Sequence, residues 1–213
     1  MDEHVRWQRG MLLAKTAAAL EKHGFRSVVC AHRDEALSYL LNEATVAETI
    51  GFGGSMTLAQ LGLARQVEAL GKRTFIHSRS GLSAAERRIV MQEQLNCDLF
   101  FTSSNAVTLD GQLVNIDATG NRVCAMIFGP PRVWVVIGSN KIVADVPAAL
   151  RRIKEVAAPP NAHRLGYKTP CAVTGLCSDC DAPDRICRVT TIIERQPRLT
   201  EIGVCLINED LGY

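Results

Sequence analysis

Apolar residues recur along this chain in two alternating rhythms. Over residues 3–23, Val5, Leu12, Leu13, Ala17 and Leu20 return at helical spacing, which predicts an amphipathic helix that Gly24 is placed to end. Val28 and Val29 within Arg26–Ala31 read as a short strand, and a helix opening near Asp34 carries Leu37, Leu40 and Leu41. Thr49-Ile50-Gly51-Phe52 is a second strand, followed by a glycine turn and a helix over about residues 56–70. Thr74–His77 is a third strand. Ser83 followed three residues later by Glu86 forms a capping box, opening a helix to about Leu95. Asp98–Thr102 is a fourth strand, and Leu113–Ile116 is a short one after an Asp110-Gly111 turn. Arg132–Ile137 is the strongest strand, Val-Trp-Val-Val-Ile without polar alternation, as expected of a strand covered on both faces. Asp145–Ala158 reads as a helix with Pro147 in its first turn, where the missing N–H costs little. Residues 169–187 show little periodicity, and two late strands follow around Val189–Glu194 and Gly203–Ile207.

Strands alternating with helices imply right-handed βαβ units. The predicted fold is α/β: one domain over residues 1–213, a three-layer, open, mostly parallel sheet, ending in a cysteine-rich segment. Composition narrows the function classes. With 24 Lys and Arg against 22 Asp and Glu the net charge is +2, spread without long like-charge blocks, so nucleic acid is not an expected partner. No apolar run approaches the roughly 20 residues of a membrane helix. The start Met1-Asp2-Glu3-His4 is acidic and polar, unlike a signal peptide, and a cytoplasmic location is the expectation. Small α/β proteins of this kind are commonly symmetric dimers, which makes a homodimer the expected assembly.

Gly51-Phe52-Gly53-Gly54-Ser55-Met56-Thr57 joins a strand to a helix. Glycines let the backbone approach a ligand, the helix that follows offers unpaired N–H groups, and Ser55 and Thr57 add hydroxyls. This combination suits an anionic group: phosphate, carboxylate or an enediolate. It is neither the dinucleotide-binding spacing nor a P-loop, because no Gly-Lys-Ser/Thr follows. The same residues also suit a tight turn with Ser55 or Thr57 as helix cap.

Two polar stretches follow predicted strands, where open α/β sheets bind ligands. In the first, Ser104 and Asn105 are candidate ligand-binding residues. In the second, Asp117 is a candidate general base or binder of hydroxyls, Thr119 and Asn121 can fix carbonyls or hydroxyls, and Arg122 can pair with a carboxylate. Lys141, just past the strongest strand, adds a cation at the same edge. His77 at a strand end reads as structural, and Trp7 and Trp134 as packing residues.

Eight cysteines are present, four of them (Cys171, Cys177, Cys180, Cys187) within 17 residues. Four soft ligands in one segment can surround Zn²⁺ or hold an iron–sulfur cluster, and Cys177-x2-Cys180 has the bite of a chelating pair. The spacing does not choose between the metals, and free thiols in a loop are the alternative. Cys30, Cys97, Cys124 and Cys205 fall in predicted strands or helices and read as small buried apolar residues.

Several of these segments together resemble one family. Gly53-Gly54-Ser55-Met56-Thr57, Thr102-Ser103-Ser104-Asn105-Ala106, Leu113-Val114-Asn115-Ile116-Asp117, Gly120-Asn121-Arg122-Val123 and Gly138-Ser139-Asn140-Lys141-Ile142-Val143 resemble the LUD (lactate utilisation) domain family. So do Thr169-Pro170-Cys171, Asp184-Arg185-Ile186-Cys187 and Glu209-Asp210-Leu211-Gly212. The resemblance implies a fold similar to ribose-5-phosphate isomerase, glucosamine-6-phosphate deaminase and the CoA-transferases, in which the glycine loop and neighbouring strand ends line the substrate site. It also implies a role in oxidising L-lactate to pyruvate, in company with iron–sulfur oxidoreductase subunits. No Glu stands in a glycine-flanked strand-end loop as a CoA-transferase nucleophile, and the clustered acids of a sugar-phosphate isomerase are reduced to Asp117 and distant Asp110. Two expectations follow: a lactate-oxidation component binding a small anion at the glycine loop, or a metal-bearing electron-transfer or interaction module.

Overall fold

The structure is a computed structural model describing residues 2–213, so that Met1 of the acidic start lies outside the described residues. In chain order the elements are α1 (Glu3–Lys22), β1 (Arg26–Cys30), α2 (Arg33–Ala44), β2 (Thr49–Phe52), α3 (Met56–Leu61), α4 (Leu63–Ala69), β3 (Arg73–Ile76) and α5 (Ala84–Glu93). There follow β4 (Leu99–Thr102), β5 (Ala106–Thr108), β6 (Leu113–Asp117), α6 (Asn121–Ile127), β7 (Arg132–Gly138), β8 (Ile142–Val143) and α7 (Val146–Arg152). The chain closes with α8 (Ala158–Arg164), α9 (Pro170–Thr174), β9 (Val189–Ile193) and β10 (Glu201–Ile207).

Six strands form a parallel sheet in the order β1-β10-β7-β4-β2-β3. Its central strands explain the absence of alternation in the sequence. Along β7, Val133, Val135 and Ile137 point into one apolar cluster with Leu13 and Leu20 of α1. Trp134 and Val136 point into the opposite one with Leu40 of α2 and Leu58 and Val67 of the α3–α4 segment. Helices therefore cover both faces, and the fold is a three-layer open α/β sheet. Trp134 lies opposite Gly203 in the register of β7 and β10. A Cβ on Gly203 would come within 2.5 Å of the indole ring, so the ring occupies space that only glycine leaves free.

A second sheet, β8-β5-β6-β9, packs below the first. Its β5–β6 and β6–β9 pairs are antiparallel, and the hairpin between β5 and β6 turns at Asp110-Gly111 as read from the sequence. One face shares the α1 cluster through Val107 and Leu113; the other packs Ala106 and Val114 on Ala149 and Ile153. The last register pair of β6 and β9 sets Asp117 against Val189, which brings the end of the cysteine segment to the end of β6.

The differences from the sequence reading have local causes. The helix over 56–70 breaks at Gly62, whose φ of 66° places it in the left-handed region between α3 and α4. The helix from Asp145 does not stop at Ala158. Pro159 and Pro160 lack N–H donors, and the chain accommodates them with a π turn over Ile153–Ala157 before continuing as α8. The short β5, β8, α6 and α9 have no counterpart among the predicted elements. Trp7 is not a packing residue: it is 68% exposed, because α1 buries Leu13, Thr16, Ala17 and Leu20 while its first turns lie beyond the apolar clusters. Cys124 is likewise exposed, since α6 turns Val123, Ala125 and Met126 inward instead. Cys30, Cys97 and Cys205 are buried as expected.

Candidate functional site

The carboxyl ends of β2, β3, β4 and β7 open on one side of the main sheet, and the loops leaving them line a cleft of about 270 Å³. Gly54 and Ser55 follow β2, His77 follows β3, Ser103, Ser104 and Asn105 follow β4, and Lys141 ends the 3₁₀ turn after β7. Asp117, Thr119, Asn121 and Arg122, from the end of β6 and the start of α6, form another wall. Ala157 of the π turn and Arg164 of α8 complete it with Tyr213.

Eight of the ten residues proposed for catalysis or ligand binding therefore share this cleft: Asp117, Gly54, Ser55, Ser104, Asn105, Thr119, Asn121 and Lys141. Gly53 and Thr57 stand behind its wall. Gly53 packs on Thr102, where a Cβ would approach the hydroxyl to 2.7 Å, and Thr57 is wholly buried. Ser55 is also the N-cap of α3, its Oγ accepting from Leu58 N at 3.3 Å. Since α3 spans only Met56–Leu61, capping accounts for much of the glycine loop's design.

Arg122 is not left free for a ligand carboxylate. Its Nε pairs with Asp117 at 3.2 Å, one terminal nitrogen donates to Ser103 O at 2.8 Å and Asn115 Oδ1 at 2.6 Å, and the other to Asn105 Oδ1 at 3.1 Å. The guanidinium thereby ties the β4 and β6 loops together. Asp117 accepts in addition from the backbone N–H groups of Thr119 and Gly120, at 3.2 and 3.0 Å. The fork of Arg122 and the carboxylate of Asp117 were each legible in the sequence, but their pairing was not.

Lys141 departs furthest from expectation. It is 3% exposed, its Nζ donating to Thr57 Oγ1 at 2.8 Å and to Ser103 Oγ at 3.0 Å. No carboxylate lies within ion-pair distance among the described residues. Burial first, and then the neighbouring Arg152 and Arg122, push its pKa down to about 7. Gly212, at φ 62°, closes the space behind it: a Cβ there would lie 2.6 Å from Thr57 Oγ1. Thr57 Oγ1 in turn lies 3.1 Å from Leu211 O.

His77 also proves to be part of the wall. Its Nδ1 lies 3.0 Å from the side-chain amide nitrogen of Gln94, which also bonds the carbonyls of Phe52 at 2.8 Å and Phe75 at 3.0 Å. Burial lowers its pKa, with the Gln94 contact opposing. Arg87 and Arg164 are two further cations that no motif announced. Arg164 donates to Tyr213 Oη at 2.8 Å and Asn161 Oδ1 at 2.8 Å, with no acid among these partners.

The four clustered cysteines line one small hollow together with Lys154, Asp179 and Arg185, and Cys187 borders both this hollow and the cleft. Arg185 ties the loop, bonding Asp179 Oδ1 at 2.8 Å and Cys187 O at 2.8 Å. Burial pushes the Cys187 thiol pKa up; Arg185 pulls it down, and Cys177 and Cys171 raise it again. Among the described residues, no three His, Cys, Asp or Glu side chains stand at metal-ligating spacing.

A family model for the LUD domain matches residues 13–207, nearly the whole chain. The chain belongs to the LUD domain family. That family is associated in general with lactate utilisation. The crystal structure of a DUF162 family protein from Deinococcus radiodurans is similar to this LUD domain, with a TM-score of 0.55 at 14% identity over 93% of this chain and 98% of that one. At that identity the likeness speaks for the fold of the LUD domain. No curated protein matches the chain. No helix among its described residues is long and apolar enough to cross a membrane.

Proposed function

We propose that this LUD domain is a component of L-lactate utilisation that holds a small carboxylate anion in the cleft and takes part in oxidising lactate to pyruvate with iron–sulfur oxidoreductase subunits. The observation that carries the reading is the charge of the lining. Arg87, Arg122, Lys141 and Arg164 face one acidic side chain, Asp117, which is already committed to Arg122. A low-dielectric cleft with surplus positive charge favours a small anion. The side-chain amide nitrogen of Asn121 supports the same reading, being a buried donor with no partner among the described residues. Ser55 and Thr119 offer hydroxyls beside it, and Asn105 and Lys141 orient the anion. Gly53 and Thr57 act from behind, through the loop and through Lys141. Asp117 takes the acid/base role toward the proton of the 2-hydroxyl group, its carboxylate positioned by Arg122 and two backbone amides.

Isothermal calorimetry with L-lactate tests the site directly, and a Ser55→Ala, Asp117→Asn double variant tests its use. Loss of growth on lactate in that variant is expected; growth at the parental rate refutes the proposal.

The cysteine hollow supports a second, compatible reading as a soft-metal site. Cys171, Cys177, Cys180 and Cys187 would hold the metal as thiolates, with Lys154 and Arg185 lining the same hollow. Iron with sulfide would supply one-electron transfer beside the cleft, whereas Zn²⁺ would clasp the loop.

A further inference from the structure

Lys141 is poorly suited to act only as a fixed positive charge. Of the lysine and arginines lining the cleft, it alone readily sheds its proton, because guanidinium groups stay charged at any pH at which proteins remain folded. With its pKa near 7, about half of the amine is neutral at pH 7, against on the order of one part in a thousand for a solvated lysine.

Its two hydrogen bonds leave one position on the nitrogen unoccupied. Thr57 Oγ1 directs its own hydrogen to Leu211 O at 3.1 Å, and Ser103 Oγ to Ser104 O at 3.2 Å. Both hydroxyls are thereby free to accept from Nζ, at 2.8 and 3.0 Å. A neutral amine has two hydrogens, and these two bonds use both. In that form the unoccupied position on nitrogen is the lone pair, on a side chain that lines the cleft. A bare carboxylate has nothing to gain from a lone pair. A carbonyl carbon does.

We propose that Lys141 is a nucleophile that captures a small 2-oxo acid as an imine on Nζ, an inference that rests on the carboxylate reading of the cleft and names the class of compound it takes. The lone pair attacks the C2 carbonyl carbon and forms a C–N bond, giving a carbinolamine. The carbonyl oxygen then leaves as water, its two hydrogens being those the amine gives up. No atom changes oxidation state, and no co-reactant is needed. The hydroxyls of Thr57 and Ser103, already bonded to Nζ, are within reach to pass these protons. A 2-hydroxy acid has no such carbonyl. The site would hold it by charge alone while binding its oxidised counterpart covalently and reversibly.

The test is to incubate the full-length protein with pyruvate and sodium cyanoborohydride, which reduces an imine to a stable secondary amine, and to map the adduct by peptide mass spectrometry. One reduced pyruvyl group per chain is expected on Lys141, at least about tenfold above any other lysine given its larger neutral fraction. Lys141→Arg, which keeps the charge but cannot form the imine, should abolish it. Mapping on the unaltered protein keeps the test decisive if that variant does not fold. L-lactate should compete and lower the yield. If calorimetry shows pyruvate and lactate binding while Lys141 stays unmodified, the imine is overturned and the anion site stands. An adduct on Lys141 that lactate does not diminish supports the imine and overturns the carboxylate site. Absence of both binding and adduct overturns both, and equal labelling of exposed lysines overturns the imine.

Discussion

Replacing Lys141 by methionine, a side chain of similar length without charge, should stabilise the protein. Folding takes this amine from a pKa of 10.5 to about 7. At pH 7 the unfolded chain holds nearly one more half-proton than the folded one, and integrating the difference gives a handicap of about 4 kcal/mol for the lysine relative to a neutral side chain. Against this, the variant removes two hydrogen bonds, to Thr57 and Ser103, at about 1 kcal/mol each. The net expectation is a gain of about 2 kcal/mol at pH 7, or roughly 4–8 °C in melting temperature for a chain of this size. The sign of the pH dependence follows from the depressed pKa. Between pH 7 and 10.5 the unfolded state binds more protons, so the wild type recovers relative to the variant as pH rises. Below 7 both states are protonated and the handicap is at its full, constant value. By pH 9 the handicap falls to about 2 kcal/mol, and the hydrogen bonds then cancel it. Urea denaturation of both proteins at pH 7 and pH 9 isolates the difference, since every other titrating group is common to both. A Lys141→Met protein less stable than its parent at pH 7, with a gap unchanged at pH 9, would refute the claim that this lysine is buried without a counter-charge.

Three further outcomes are expected. Arg122→Ala should cost about 3–5 kcal/mol in urea unfolding, because it strands the buried Asp117 carboxylate and removes the donors that join the loops after β4 and β6; a loss below about 1 kcal/mol contradicts the pairing. Gly203→Ala should lower the melting temperature by several degrees, through a methyl forced to within 2.5 Å of the Trp134 ring at a cost of about 1–3 kcal/mol; an unchanged melting temperature contradicts that packing. Protein purified without oxygen should carry iron with acid-labile sulfide, or zinc, in an amount that falls on substituting Cys177 and Cys180 by serine; absence of all three elements removes the metal reading of the hollow.

The sequence made the main sheet legible because burial on both faces leaves an unbroken apolar run, as in β7, and because glycine, Pro147 and the Ser83–Glu86 box punctuate its helices. The second sheet was harder. Ala106–Thr108 is three residues long and takes its structure from β6 and β8 rather than from any local pattern. The helix after Gly120 starts on Asn121-Arg122, residues that read equally well as a loop. Most proposed cleft residues were found because polar residues just past a strand end are an unusual and informative placement. What could not be read was the fate of the charges. Nothing local distinguishes a lysine buried against Gly212 from one in solvent, since its surroundings come from residues 57, 103 and 212, far apart in the chain. Asp117 and Arg122 are two opposite charges across a glycine turn, but nothing local says that they pair with each other rather than with a ligand. Trp7 misled because helical spacing says which side of a helix is apolar and not how far along its length a neighbour extends.

The strand order has a consequence for how the protein is made. β1 is paired with β10 alone, across a register that joins Arg26 to Gly203, so its backbone partners are synthesised some 170 residues after it. At a ribosomal rate of roughly 5–20 residues per second that interval is about 10–40 s. Throughout it, β1 has no strand to pair with, and the slot beside Trp134 stands open. The cluster under α1 also stays incomplete, lacking Ile202, Val204 and Leu206, until a strand from the other end of the sequence slides between β1 and β7. Such long-range closure favours slow folding. Chaperone demand should therefore centre on the first thirty residues, even though they make up an outer layer and an edge of the finished sheet.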